Sequence, residues 1–158
     1  MELRPVDLPV AVTGSLLLAG MPGRFEPWAA FEARSRSASI QLVVCLTPDA
    51  ELEALSPLYH AAVARGTLPF RWLHLPMRNF GVPDDPAAFR AGIRQIAQAL
   101  RSGETVMLHC AAGLGRTGST AACVLKVLGV ATDEALQRVR AAGSNPQNAS
   151  QSGLVSWF

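Results

Sequence analysis

The stretch "VMLHCAAGLGRTG", Val106 to Gly118, decides how this chain reads. An apolar strand pattern runs into His109 and Cys110, a short connection follows through Ala111, Ala112, Gly113, Leu114 and Gly115, and Arg116 and Thr117 open a helical pattern. Glycines at 113 and 115 leave no β-carbon to block a curled backbone. Such a loop turns successive N–H groups inward beneath the positive end of the helix it feeds, which makes an anion cradle. Arg116 can close the cradle with a planar fork that binds two oxygens at once, as lysine cannot. A group with three inward oxygens fits best, so Ala111 to Arg116 are the candidate phosphate-binding residues. Cys110 lies at the floor of the cup, where amide dipoles and Arg116 favour the thiolate, the nucleophilic form of the side chain. His109 is expected to hold the backbone and the sulfur in place, and the Thr117 hydroxyl to donate to that sulfur. Alone, a strand cysteine is core filler and a glycine pair is a turn. Their combination between a strand and a helix is what points to chemistry.

Outward from the loop, the chain alternates. "IQLVVCL" (40–46), "FRWLHL" (70–75) and "ETVMLHC" (104–110) are short β-branched or aromatic runs with strand character. Between them lie helical patterns at 50–65, broken at Pro57 with Ser56 as cap and Gly66 as stop, and at 86–101, capped by Asp85 with Pro86 in the first turn. Helices at 117–128 and 132–142 end on Gly129 and Gly143, and a last amphipathic piece holds Leu154, Val155 and Trp157. "LPVAVTGSLLLAGMPG" (8–23) reads as two short strands around a turn, not as a signal peptide, because Glu2 and Asp7 spoil the positive flank. Alternating strands and helices predict an α/β domain, a mostly parallel sheet flanked by helices, with ligands beyond the carboxyl ends of the strands. The loops after Leu46, Leu75 and Cys110 should therefore share one rim.

Composition bounds the rest. A chain of 158 residues, 49% apolar, fits one domain spanning residues 1–158 that buries about 70% of its unfolded surface. A net charge of +2 with 16% charged residues gives no field that implies nucleic acid or an anionic membrane as partner. No apolar run approaches a membrane span. Three cysteines (Cys45, Cys110, Cys123) with no repeating spacing indicate neither a disulfide scaffold nor a zinc site, and no metal or other cofactor is expected. A reducing cytoplasm fits that usage. Cys123 sits among Ala122, Val124 and Leu125 as core. Cys45, at the end of a parallel strand, reads as a buried strand cysteine or as a neighbour able to form a protective disulfide with Cys110.

"HCAAGLGRTG" resembles the signature loop of the cysteine-based protein tyrosine and dual-specificity phosphatases. "LVVCLTPDAEL", "HLPMRNFGVPDD" and "AAGSNPQNASQSGLVSWF" are most similar to the small kinase-associated phosphatase subgroup, and the likeness runs from about Ser15 to the end. The resemblance implies two steps on a phosphorylated protein or small phosphomonoester: attack by Cys110 to give a phosphocysteine, then hydrolysis by water. It also implies a glutamine that holds the water, a slot that Gln151 matches best and Gln147 second.

One position departs from the family pattern. An aspartate four residues before a proline supplies the proton for the leaving oxygen in these enzymes, and here Asn79 stands four before Pro83. A positioned acid contributes about 10²–10⁴-fold, and asparagine has no proton to transfer. Three readings stay open. Asp84 swings in as the acid, Asp85 being better suited to capping; or the substrate has an acidic leaving group, as aryl and acyl phosphates do; or Asn79 is an engineered trap or the mark of a phosphate-binding module without turnover. Arg78 beside it either meets an anionic substrate or faces solvent.

Overall fold

The computed structural model describes residues 2–158. β1 (Arg4–Val6), β2 (Ser15–Ala19), β3 (Leu42–Cys45), β4 (Arg71–His74) and β5 (Thr105–His109) form one five-stranded sheet in the order β1-β2-β5-β3-β4. Only β1 runs antiparallel; β2, β5, β3 and β4 are mutually parallel, with Leu42 opposite Val106 and Cys45 opposite His109. Parallel strands covered on both faces are apolar on every residue, and LVVC is buried at all four positions. Side chains still alternate between faces. Leu42, Val44, Val106 and Leu108 join one core, while Val43 and Met107 enter a second.

The larger core lies under α4 (Pro86–Arg101), α5 (Gly115–Val127), α6 (Thr132–Ala141) and α7 (Ala149–Trp157). On α4, Phe89, Ile93, Ile96 and Leu100 form the buried stripe, Asp85 accepts from the Ala88 N–H at 3.1 Å, and Pro86 occupies the first turn, as the sequence pattern predicts. The opposite face is covered by α1 (Trp28–Ser37), α2 (Asp49–Leu55) and α3 (Pro57–Arg65), which bury Phe31, Leu52 and Tyr59.

Three expectations need correcting. The first strand is Arg4–Val6, upstream of the 8–23 stretch, and residues 7–14 form the connection to β2. α1 has no counterpart in the sequence reading, because it buries only Phe31 and Ser35 and lacks a side-chain cap. Ser56 does occupy the N-cap position of α3, but its hydroxyl donates to the Pro22 carbonyl at 2.7 Å, so it ties the β2 loop to the helix instead of capping it.

Because the parallel strands share one direction, the loops that leave β2, β3, β4 and β5 converge at their carboxyl ends. Leu46 N–H donates to the His109 carbonyl at 3.0 Å and Met21 N–H to the Ala111 carbonyl at 3.2 Å, locking the first residues of these loops together.

Candidate active site

A cavity of about 380 Å³ opens at that convergence. Each parallel strand contributes to it through the segment that follows: Arg24 after β2, Glu51 after β3, Asn79 and Phe80 after β4, and residues of 110–116 after β5. Cys110 is 3% exposed at its floor, and its sulfur accepts from the Gly113 N–H at 3.2 Å and the Thr117 hydroxyl at 3.0 Å.

The loop's carbonyls are pulled outward. The Ala111 carbonyl accepts from Met21 N–H and from Arg24 Nη1, the latter at 2.9 Å. The Gly113 carbonyl accepts from Arg4 Nη2 and the Ser144 hydroxyl, both at 2.6 Å. In a planar trans peptide the N–H points opposite the C=O, so these anchors turn the amides of Ala112 and Leu114 toward the cup. Among the described residues, no carbonyl or side chain takes the amide hydrogens of Ala112, Leu114, Gly115 or Arg116. The cup thus combines free amide donors with the start of α5. Gly113 is the residue that makes the curl possible: its φ is +76° and an added β-carbon would stand 2.4 Å from the Ala19 carbonyl oxygen.

Arg116 is 2% exposed, and its guanidinium is held from one side. Nη1 donates to Glu51 Oε2 at 2.7 Å and to the Met77 carbonyl at 3.1 Å, and Nη2 to Glu51 Oε1 at 3.2 Å. Glu51 went unassigned in the sequence reading. It sits in the first turn of α2, sixty-five positions from Arg116, and only the pairing of β3 with β5 brings them together. Arg4 and Arg24, which hold the loop from behind and from the rim, were missed for the same reason.

Behind the cup runs a fully partnered polar chain. Trp72 Nε1–H donates to the Tyr59 oxygen at 2.8 Å, Tyr59 meets His109 Nε2 at 2.8 Å, and His109 Nδ1 meets the Cys110 carbonyl at 3.1 Å. A carbonyl only accepts, so Nδ1 carries the proton and Nε2 accepts from the Tyr59 hydroxyl. Burial pushes His109 down to about 4, which keeps it neutral, and burial also holds the Tyr59 hydroxyl well above the usual phenol range. His109 is therefore placed to fix the carbonyl of Cys110, with no contact to the cavity among its hydrogen bonds.

The remaining predicted residues divide. Asn79 lines the cavity, but Asp84 does not. Asp84 lies in a separate small cavity with His74 and Phe89, its N–H donates to the Pro76 carbonyl at 3.3 Å, and the preceding Pro83 bridges to Met77. Swinging it toward Cys110 breaks these ties, so the structure does not place Asp84 as the acid. Asp85 is used as the α4 cap. Arg78 is exposed and does not line the cavity. Gln147, the second match to the family's glutamine slot, lines the cavity, whereas Gln151, the better match, is buried with Oε1 accepting from the Gln147 N–H at 2.8 Å. Cys123 is core, its thiol pushed up by burial to about 12. Cys45 is also fully buried, with Sγ 3.2 Å from the Thr47 hydroxyl and its thiol pushed up by burial to about 11.

A cysteine at the floor of an amide-lined, arginine-closed cup, on a parallel sheet of this order, defines the class of cysteine-loop phosphatase domains. The chain belongs to the family described as PTP-SAK, Swiss Army Knife protein, DSP-PTPase phosphatase domain, whose profile matches residues 26–153. Its fold is like that of the kinase-associated phosphatase. A structure of that phosphatase with its catalytic cysteine changed to serine superposes with a TM-score of 0.85 at 19% identity, over 98% of this chain and 92% of that one. Tk-PTP in its active form superposes with a TM-score of 0.72 at 25% identity, over 94% and 95% of the two chains. A protein of Invertebrate iridescent virus 3, named for tyrosine phosphatase activity, is 29% identical over 93 residues, which are 57% of this chain and 35% of the viral one. The match thus spans about a third of that relative's length. Among the described residues, no helix is long and apolar enough to cross a membrane.

Proposed function

We propose that this domain hydrolyses phosphomonoesters through a phosphocysteine on Cys110. One observation carries the reading: the Cys110 sulfur, with donors from Gly113 and Thr117, lies at the base of a cavity edged by unpartnered loop amides and by Arg116. A phosphoryl group seated on those amides faces the sulfur directly. The sulfur attacks phosphorus, the Thr117 hydroxyl stabilises its charge when it departs again, and Arg116 gathers the equatorial oxygens that carry the transition-state charge. Glu51 holds the guanidinium in plane for that task. Gln147, at the cavity wall, is the better placed glutamine to orient the hydrolytic water. A phosphorylated protein or a small phosphomonoester is the substrate, and three unpaired cysteines suit a reducing compartment such as the cytoplasm.

Hydrolysis of an activated aryl phosphate tests this. The wild-type chain should release phosphate, and Cys110→Ser should abolish release while still binding vanadate or phosphate. Asn79 favours a second reading, a module that binds phosphorylated partners without turnover; measurable phosphopeptide affinity with no release from any phosphate ester would select it.

A further inference from the structure

We propose that this site cleaves phosphate esters without any proton donor from the protein, and so accepts esters whose leaving oxygen is a weak base, aryl and acyl phosphates, to the exclusion of alkyl phosphates such as those of serine and threonine. The inference rests on Cys110 as the nucleophile.

The carboxyl groups around the cavity carry it. Among the described residues, Glu51 is the one carboxylate that lines the cavity, and both its oxygens are taken up by Arg116, at 2.7 and 3.2 Å. Neither is turned toward a leaving group. Asp84 faces a different cavity and Asp85 caps α4. The segment between β4 and α4 is fastened on both sides of Asn79: Met77 pairs with Pro83, the Gly81 N–H donates to the Arg78 carbonyl at 2.8 Å, and the Phe80 carbonyl accepts from Asn148 Nδ2 at 2.7 Å. Delivering Asp84 or Asp85 would undo that pairing and the helix cap together. The cavity wall after β4 carries Asn79 instead of a carboxylic acid, and an amide can donate a hydrogen bond but transfers no proton.

The chemistry then balances as follows. A sulfur lone pair forms the S–P bond while the P–O bond breaks, and its electron pair leaves with the oxygen as aryloxide or carboxylate, which takes its proton later from solvent. In the second step a water oxygen bonds to phosphorus, the S–P pair returns to sulfur, and the proton of the water passes to solvent as inorganic phosphate departs. No free carboxylate is aligned on that water either, so the second step is slow and phosphoenzyme accumulates.

The test is a series of aryl phosphates of graded leaving-group acidity, with acetyl phosphate and phosphoserine alongside, followed by kcat/KM, which reports P–O cleavage, and by the pre-steady-state burst. Expected are a fall in kcat/KM of about tenfold for each unit rise in leaving-group pKa, a burst of leaving group stoichiometric with Cys110, and no turnover of phosphoserine. Comparing acetyl phosphate with the aryl esters extrapolated to the same leaving-group pKa separates the two sources: whichever is cleaved faster is the class the cavity serves. A kcat/KM that stays within a few-fold across the aryl series would overturn the proposal, as would a tenfold or greater loss in Asp84→Asn or Asp85→Asn confined to the poorest leaving groups. Turnover with a flat series sinks this inference alone. No release even from the most activated ester, or full release by Cys110→Ser, sinks the function on which it rests.

Discussion

Asn79 lines the cavity at a position where exchanging an amide for a carboxyl would supply a proton donor. Asn79 lines the same cavity as Cys110, so Asn79→Asp puts a carboxyl on a wall that Asp84 and Asp85 do not line. That variant is expected to raise kcat/KM for phenyl phosphate by about 10²-fold while leaving the most activated aryl ester within a few-fold, as steady-state kinetics on the two substrates will read. The residues that a sequence exposes are those whose partners are near in the chain. Cys110, Gly113, Arg116 and Thr117 lie within one turn-and-helix start, so their spacing alone implies the cup. Arg4 on β1, Arg24 after β2 and Glu51 in α2 reach it only after the sheet is assembled. Nothing in "DAELEAL" distinguishes Glu51 from an ordinary first-turn carboxylate. The choice between Gln147 and Gln151 depended on which side of α7's start faced the cavity, which no periodicity reports over so short a stretch.

β1 shows how much a three-residue element can do for a site it does not line. Arg4 reaches from it to the Ala142 carbonyl at 2.7 Å, the Ser144 hydroxyl at 2.9 Å and the Gly113 carbonyl at 2.6 Å. It thereby clamps the loop to the end of α6 and fixes the peptide whose N–H belongs to Leu114. Arg4→Met should lower kcat/KM for an activated aryl phosphate and weaken vanadate binding in parallel, each by roughly tenfold, with partial rescue by Arg4→Lys; the cost reflects about one charge-assisted hydrogen bond to the loop. An unchanged vanadate affinity would show that the clamp is merely structural. β3, β5 and α4 were legible because burial on both faces, or a sustained amphipathic stripe, writes itself into the sequence. α1 was not, since tertiary contact through Phe31 and Trp28, not pattern, holds it: Trp28 stacks on Tyr59 at 5.1 Å and Phe31 packs edge-on against Phe70 at 6.0 Å.

For the whole molecule, the polar chain from Trp72 through Tyr59 to His109 crosses the buried side of the sheet and links the fold's stability to pH. His109 titrates near 4 in the folded protein and near its ordinary 6.5 when unfolded, because burial disfavours the charged ring. The unfolded state therefore binds the proton first. This contribution is fully present above about pH 6.5, falls as pH drops toward 4, and amounts to about 3 kcal/mol over that window. Urea unfolding at pH 7 and pH 4.5 should show the loss, and His109→Asn should remove that part of the slope. The sheet order explains the convergence: four parallel strands deliver four loops to one rim, and the sequence alone implied three of them. The central claim, that the cup holds a phosphoryl group over the Cys110 sulfur, is tested most directly by acid quench during turnover of an activated aryl phosphate, followed by peptide mapping. One phosphoryl group per chain is expected, on the peptide bearing Cys110 and absent from Cys110→Ser. Phosphate release with no labelled peptide, or with the label on another residue, would contradict it.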